Sequence, residues 1–264
     1  MAGHALYKMT TLDNAQAVVE HMTGLGNAVQ ARHLMRFFKT GPGDYGYGDK
    51  FLGLTVPETR AVVSKCKRLE LTEIAKLLHS PWHEVRLCGL IVLVEQFAMW
   101  SGTKLIDNAQ AVSKRDEIVD FYLTHTTGIN NWDLVDLSVY KILGKWLLLP
   151  SKYSNERKLE IIDGLAASVN MWEQRMSVVC TMEPLKHGDP FYTLRYARWH
   201  LHHPHDLMHK AVGWMLREMG KRCSMELLRD FLRQHAHEMP RTMLRYAIEK
   251  MSDEERKEWM KGES

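Results

Sequence analysis

The sequence predicts an all-α protein in which paired helices stack into a solenoid. Three observations lead to this fold class. Nearly every apolar pattern has helical spacing, no segment alternates as a strand between hairpin turns does, and one helical pattern recurs along the chain. A solenoid of this kind presents a concave surface on which a ligand can bind.

The composition is that of a folded protein, with 45% hydrophobic and 25% charged residues among 264. No apolar run is long enough to span a membrane, and we expect no secretory signal at the N-terminus. Four cysteines are far apart and form no CxxC pair: Cys66, Cys88, Cys180 and Cys223. We therefore expect a reducing cytoplasm and neither a disulfide framework nor a cysteine zinc site.

Two segments show the apolar stripe of a helix most clearly. The stripes comprise Leu207, Met208, Ala211, Val212, Met215, Leu216 and Met219 in one segment and Val135, Val139, Ile142, Leu143 and Trp146 in the other. The first turn of a helix tolerates proline, because its missing N–H is not needed there. Helix starts are therefore predicted at Ser80-Pro81, His203-Pro204-His205-Asp206 and Met239-Pro240.

One helical pattern occurs five times, at intervals of 50, 39, 35 and 35 residues, as a solenoid requires. Its aligned polar position falls at Arg86, Asp136, Arg175, Lys210 and Arg245, and a small or apolar position three residues later at Gly89, Val139, Val178, Gly213 and Ile248. Four bases at the polar position suit phosphates, so the single acid should have another role. We expect one domain, with N-terminal helices and a Gly/Tyr loop in 1–50, repeats in 51–250 and an acidic helical tail in 251–264.

The net charge of +3 is unevenly distributed. Residues 30–68 contain eight Lys/Arg against three Asp/Glu, residues 195–250 contain eleven against six, and the remaining stretches are acidic. Two basic blocks of this kind would clamp a polyanion such as nucleic acid. Ordinary solvated helix faces are the alternative interpretation.

Trp132, Asp136 and Tyr140 share one helix face, since they are spaced i, i+4 and i+8. Arg175 lies within the apolar stripe of its own helix, where a guanidinium needs an anionic partner because an unpaired buried charge is costly. Asp136 or a bound phosphate would supply that partner. The alternatives are a surface aspartate beside a core tryptophan and a purely structural Arg–Asp bridge.

Trp214 lies outside the apolar stripe of its helix and shares a face with three cations. These cations are Lys210, Arg217 and Lys221. An indole on a basic face is typical of a nucleic-acid contact, in which cations bind phosphates and the ring packs on sugar or base. Packing against the neighbouring repeat is the alternative.

Two other clusters contain candidate functional residues, one of tyrosines and one of histidines. Tyr45 and Tyr47 lie in a glycine-rich loop beside a basic block, where they would contact a ligand or simply form part of a flexible linker. Five histidines crowd together at His200, His202, His203, His205 and His209. Pro204 interrupts them and no HExxH is present, so we expect a polar turn between helices and no metal.

Four segments together resemble the DNA alkylation repair glycosylases of the AlkD-like family, over about residues 45–250. The segments are Phe51-Leu52-Gly53-Leu54 followed by Val56-Pro57, Asn131-Trp132-Asp133-Leu134-Val135-Asp136, Trp172-Glu173-Gln174-Arg175 and Lys210-Ala211-Val212-Gly213-Trp214-Met215-Leu216-Arg217-Glu218. The resemblance implies a right-handed superhelix of HEAT-like repeats whose concave basic face holds duplex DNA.

The resemblance also implies site residues. The family's Trp-x-x-x-Asp pair, arginine and further tryptophan fall on Trp132, Asp136, Arg175 and Trp214, and a backbone-contacting arginine falls on Arg217. The sequence departs from the family at Asn131, where an aromatic residue is usual, and the family's N-terminal tyrosine falls on Tyr45 or Tyr47. We expect a concave DNA-binding groove formed with Trp214 by Arg86, Lys210, Arg217, Lys221 and Arg245.

The implied activity is base excision repair by a monofunctional glycosylase that removes N3- and N7-alkylated purines from double-stranded DNA. A cationic base leaves with little acid help, so one carboxylate that stabilises the oxocarbenium sugar and places a water suffices. The Asp136 motif offers no lysine for a Schiff base. We expect a cytoplasmic monomer without cofactor, metal or membrane partner. Two other functions stay open: a non-catalytic HEAT-repeat protein that binds branched or damaged DNA, and a protein-binding helical scaffold.

Overall fold

The computed structural model describes residues 11–261, and its regular structure is helical. The α-helices are α1 (Ala15–Gly24), α2 (Ala28–Phe37), α3 (Val56–Cys66), α4 (Leu71–Leu78), α5 (His83–Met99), α6 (Ala109–Thr124), α7 (Trp132–Val139), α8 (Lys145–Leu148), α9 (Asn155–Ala166), α10 (Met171–Val179), α11 (Met182–Lys186), α12 (Phe191–Trp199), α13 (Asp206–Arg222), α14 (Met225–His235), α15 (Arg241–Ala247) and α16 (Asp253–Lys261). Short 3₁₀ turns occur at Thr103–Leu105 and Thr126–Gly128, and Tyr140–Gly144 is π-helical. Residues 11–261 contain no strand, so the all-α prediction is confirmed.

The chain divides into two compact units. Of the described residues, the first unit contains 11–102 and 120–134, and the second contains 103–119 and 135–261. The divisions fall inside α6 and α7, so each of these helices contributes residues to both units. Across the part of the chain described, no helix is both long and apolar enough to cross a membrane.

In the first unit, α5 packs against α1, α3 and α4. Residues 83–93 are all buried, as expected of a helix that neighbouring elements surround. Gly89 permits the close approach of α4, because a Cβ at this position would stand 3.1 Å from the Cβ of Leu77.

A buried carboxylate ties α5 to the turn that precedes α3. Glu84 accepts backbone N–H groups from Leu52, Gly53 and Leu54, at 2.9, 2.8 and 3.2 Å. Gly53 has a φ of +87°, and a Cβ there would stand 2.1 Å from the carbonyl oxygen of Asn27, so only glycine fits. The Phe-Leu-Gly-Leu segment singled out in the sequence is therefore a turn bound by a carboxylate.

In the second unit, α13 packs against α10, α12, α14 and α15. Its predicted apolar stripe is confirmed, since every member except the half-buried Leu207 is buried. A Cβ on Gly213 would stand 2.4 Å from the carbonyl oxygen of Met243, so glycine is needed for the contact between α13 and α15. The stripe from Val135 to Trp146 is also buried, although its middle is π-helical rather than α-helical.

The sequence repeat has a structural counterpart. The position three residues after the aligned polar residue is buried in all five copies: Gly89, Val139, Val178, Gly213 and Ile248. Four of these residues lie on helices and the fifth is the C-cap of α15. Helices that pack in successive pairs, such as α9 with α10 and α12 with α13, are what the solenoid prediction requires.

The three predicted helix starts are displaced slightly. The N-caps of α5, α13 and α15 are Trp82, His205 and Pro240, so the prolines precede the first turn instead of lying within it. The expected N-terminal helices are α1 and α2, and the expected acidic tail is α16. The parts of these predictions that concern residues 1–10 and 262–264 lie outside the described residues.

Candidate functional site

Asp136 on α7 and Arg175 on α10 form a bidentate ion pair. Arg175 donates from Nε to Oδ1 at 2.9 Å and from Nη2 to Oδ2 at 2.8 Å. Arg175 is buried, as its place in the apolar stripe predicts, while the Asp136 side chain retains 19% of its exposure. The anionic partner expected for this arginine is therefore Asp136.

The remaining Arg175 amino group anchors the pair to the start of α13. Nη1 donates to the carbonyl oxygen of Leu207 at 2.5 Å. The Nδ1 atom of His205 caps the same helix start by accepting from the backbone N–H of Leu207. Burial lowers the pKa of His205, which favours the neutral ring that this acceptor role requires. The orientation of Arg175 is thus set from two helices.

The histidine cluster is the turn between α12 and α13, as predicted. His203 bonds to Gln174 at 2.8 Å and His200 to Ser177 at 3.2 Å, so the turn rests on the helix that carries Arg175. Burial lowers the pKa of His200 to about 4. Within residues 11–261, no three His, Cys, Asp or Glu side chains lie together in a way that would hold a metal ion.

The Asp136 carboxylate is oriented by Arg175 and is not fully buried. Arg175 donates one hydrogen bond to each oxygen of Asp136, and the side chain keeps 19% of its exposure. The oriented and partly exposed carboxylate is therefore suited to stabilise a positive charge or to orient a water molecule.

Trp132, the first residue of α7, packs in an aromatic cluster of the first unit. Its ring stacks on Phe38 with 5.4 Å between centroids and meets Phe37 edge-on at 6.0 Å. Phe38 in turn stacks on Phe51 at 5.1 Å. Phe37 is 59% exposed and provides a second aromatic surface beside the half-buried Trp132. Sequence reasoning missed it, although an adjacent Phe-Phe pair inside a basic block was the available signal.

A buried polar network holds the residues on either side of Trp132. His83 on α5 bonds through Nδ1 to Asp49 at 3.1 Å and through Nε2 to Asp133 at 2.8 Å. Asn131 also donates to Asp49, at 3.4 Å. The start of α7 is thereby attached to α5 and to the loop before Phe51.

His83 is charged at neutral pH. Burial lowers its pKa, but Asp133 and Asp49, one at each ring nitrogen, outweigh burial and raise the pKa to about 9. Burial raises the pKa of Asp49, but the hydrogen bond from His83 and the charge of Arg86 bring it below its ordinary value. Both nitrogens of this ring have to donate, which only imidazolium can do.

Arg86 belongs to the same network and does not face solvent. It is 4% exposed, and it donates to Asp49 at 2.6 Å and to the carbonyl oxygen of Ser80 at 2.9 Å. A guanidinium buried in this way is not available to a phosphate. We therefore remove Arg86 from the residues expected to bind DNA.

On the predicted basic face of α13, one lysine is exposed, whereas two other cations form ion pairs with carboxylates. Trp214 is half-buried, and Lys221 is exposed. Lys210 pairs with Asp206 at 2.7 Å, and Arg217 pairs with Glu249 and Glu218. The aligned Arg245 on α15 is exposed.

The tyrosine loop is a compact turn and not a linker. The backbone N–H of Gly46 donates to the carbonyl oxygen of Lys39 at 3.1 Å, and a Cβ on Gly46 would stand 2.5 Å from the carbonyl oxygen of Phe38. Within this turn Tyr47 is 70% exposed and Tyr45 is half-buried. Their assignment to the ligand stays a prediction.

Comparison with known proteins supplies the family. A solved structure described as a predicted DNA alkylation repair enzyme from Enterococcus faecalis is similar to this chain, with a TM-score of 0.58 over 86% of this chain and 97% of that one. Its sequence identity of 12% makes this a likeness of fold. No curated protein matches the sequence. The sequence model described as DNA alkylation repair enzyme matches residues 18–251. Because that match covers most of the chain, this protein belongs to the DNA alkylation repair enzyme family.

Proposed function

We propose that this protein is a monofunctional DNA glycosylase that removes cationic N3- or N7-alkylated purines from duplex DNA. Family membership supports a role in the repair of alkylated DNA. The observation that carries the finer proposal is the Asp136 carboxylate, which Arg175 orients by two hydrogen bonds and which lies one helical turn after Trp132.

The reaction needs little from the protein beyond electrostatics. The bond between C1′ and the base nitrogen breaks, and its electron pair neutralises the positive charge of the alkylated base. Asp136 stabilises the oxocarbenium ion that remains and orients a water, whose oxygen bonds to C1′ and whose proton passes to the carboxylate or solvent. The proposed reaction uses no cofactor or metal, and we expect the protein to act as a monomer.

In this proposal, two tryptophan rings and the cations of α13 bind the DNA. Trp132 and Trp214 would pack on sugar faces near the lesion, and an electron-rich indole also attracts a cationic base. Lys210, Arg217 and Lys221 on α13 would bind phosphates. Phe37 adds a candidate contact, because it exposes an aromatic surface beside Trp132.

Release of 7-methylguanine from a methylated duplex tests the proposal. We expect release that depends on Asp136 and leaves an intact strand with an abasic site, since a monofunctional enzyme does not cut the backbone. Duplex binding that weakens strongly with salt but gives no release would indicate a non-catalytic DNA-binding protein. Absence of both would favour a protein-binding scaffold.

A further inference from the structure

Arg217 contacts two carboxylates that differ in burial. Its Nη1 donates to Glu249, and its Nη2 lies 3.4 Å from Glu218. The Glu218 side chain is 10% exposed and also accepts from Arg222 at 2.8 Å, whereas Glu249 is 44% exposed. One amino group of Arg217 is thus held by a buried, shared acid and the other by an acid at the surface.

Glu249 lies in a basic environment. Lys250 contacts it at 3.1 Å, and the exposed Arg245 stands four residues earlier in the chain. Arg217 and Lys250 thus place two positive charges against one carboxylate. The hydrogen bond from Lys250 and the charge of Arg217 hold the pKa of Glu249 below its ordinary value, so the carboxylate is ionised at neutral pH.

We propose that Glu249 occupies, in the free protein, the position that a DNA phosphodiester takes on Arg217 in the complex, and thereby sets the affinity of this site for duplex DNA. The inference rests on the proposed function, because it takes DNA as the ligand of α13. Carboxylate and phosphate offer a guanidinium the same kind of oxygen acceptor. Glu249 can leave because it is exposed, whereas Glu218 stays because it is buried and shared with Arg222.

The replacement of Glu249 by a DNA phosphate on Arg217 should lower the affinity for duplex DNA by a measurable factor. A duplex phosphate brings counterion release as a driving force, but an exposed ion pair has to break first. Breaking such a pair corresponds to a loss of about 1.5- to 5-fold in affinity. Removing the charge of Glu249 should recover this factor.

The test measures fluorescence polarisation of a fluorescein-labelled, undamaged DNA duplex over a series of KCl concentrations. Glu249→Gln keeps the shape of the side chain, and we expect it to tighten binding ~1.5- to 5-fold. Glu254→Gln is the matched control, because Glu254 is exposed on α16 and its replacement changes the net charge equally. The control should change affinity by less than ~1.5-fold, the part due to net charge alone.

A double-mutant cycle identifies Arg217 as the partner. In an Arg217→Ala background, Glu249→Gln should improve affinity no more than the control does, because the exchange no longer occurs. Glu218→Gln should not tighten binding, since this residue holds Arg217 in place. Melting temperatures of all variants verify folding.

Two results would overturn the inference. One is equal tightening by Glu249→Gln and Glu254→Gln, and the other is the same gain with and without Arg217. If the wild type excises 7-methylguanine while either result is found, the inference fails and the proposed function stands. A wild type that binds no duplex at low salt overturns both.

Discussion

Arg175 holds Asp136 by two parallel hydrogen bonds, from Nε at 2.9 Å and from Nη2 at 2.8 Å. This fork gives the carboxylate one orientation and compensates its charge. The carbonyl oxygen of Leu207 fixes the third donor group of the guanidinium. The charge of Asp136 and the geometry of the pair can therefore be tested separately.

Asp136→Asn deletes the charge and keeps the shape of the side chain. We expect the single-turnover rate of 7-methylguanine release to fall by ~10²–10³, the cost of losing one pre-organised electrostatic group. DNA affinity should hold or rise, because a negative charge near phosphates is lost. Thermal stability is measured on the same samples. A stable variant that excises at the wild-type rate would show that the carboxylate serves only as the partner of Arg175.

Arg175→Lys keeps the positive charge and removes the fork. The excision rate should fall by up to ~10²-fold, because a lysine cannot hold the carboxylate in one orientation. Duplex affinity should not change, since Arg175 is buried and has no surface for a phosphate. Single-turnover kinetics and polarisation binding measure the two quantities. A drop in affinity with an unaltered rate would place Arg175 in the binding surface instead.

Trp214→Ala tests the basic face of α13. The ring is half-buried, so we expect the substitution mainly to weaken DNA binding. The loss should be about 1–3 kcal/mol of duplex affinity, the range for a stacked aromatic contact. A core tryptophan would instead cost about 3–5 kcal/mol of unfolding free energy. Urea unfolding and duplex titration distinguish the two. Large destabilisation with intact affinity would support packing against the neighbouring repeat.

Alanine substitutions of Lys221 and Arg86 should have opposite effects, the first on DNA binding and the second on stability. Lys221 is exposed, so its loss should lower the salt slope of duplex binding by about one unit and leave stability nearly unchanged. Arg86→Ala leaves Asp49 buried with one cation fewer and should cost about 3–5 kcal/mol of stability. Its salt slope should stay at the wild-type value. The reverse pattern would contradict the assignment of both residues.

His83 should make stability fall at alkaline pH. Its pKa is about 9 in the folded protein and 6.5 as the unperturbed value, so the folded state binds the extra proton between these limits. The stabilisation is complete below about 6.5 and declines as pH rises through about 9, by on the order of 3 kcal/mol. Urea unfolding of the wild type and His83→Gln over this interval measures it. The idea fails if both proteins lose the same free energy.

The helices and their repeat could be predicted from the sequence, because both follow from which residues along each helix are buried. A helix that packs on one side needs apolar residues every three or four positions, and the sequence shows them at Val135 to Trp146 and at Leu207 to Met219. The need of Arg175 for an acidic partner could be predicted for the same reason, because its place in the apolar stripe of its helix indicates that the side chain is buried.

The role of each polar residue was decided by the tertiary structure. Arg86 and Arg245 occupy the same position in the repeat, yet the first is buried against Asp49 and the second is exposed. His83 meets Asp133 across 50 residues of sequence, and Phe37 reaches Trp132 from a helix near the N-terminus. Burial of apolar surface depends on residue type and spacing, which the sequence displays directly. The partner of a charge or an aromatic ring depends on which distant elements are brought within a few ångströms, and only the packing of several helices determines that.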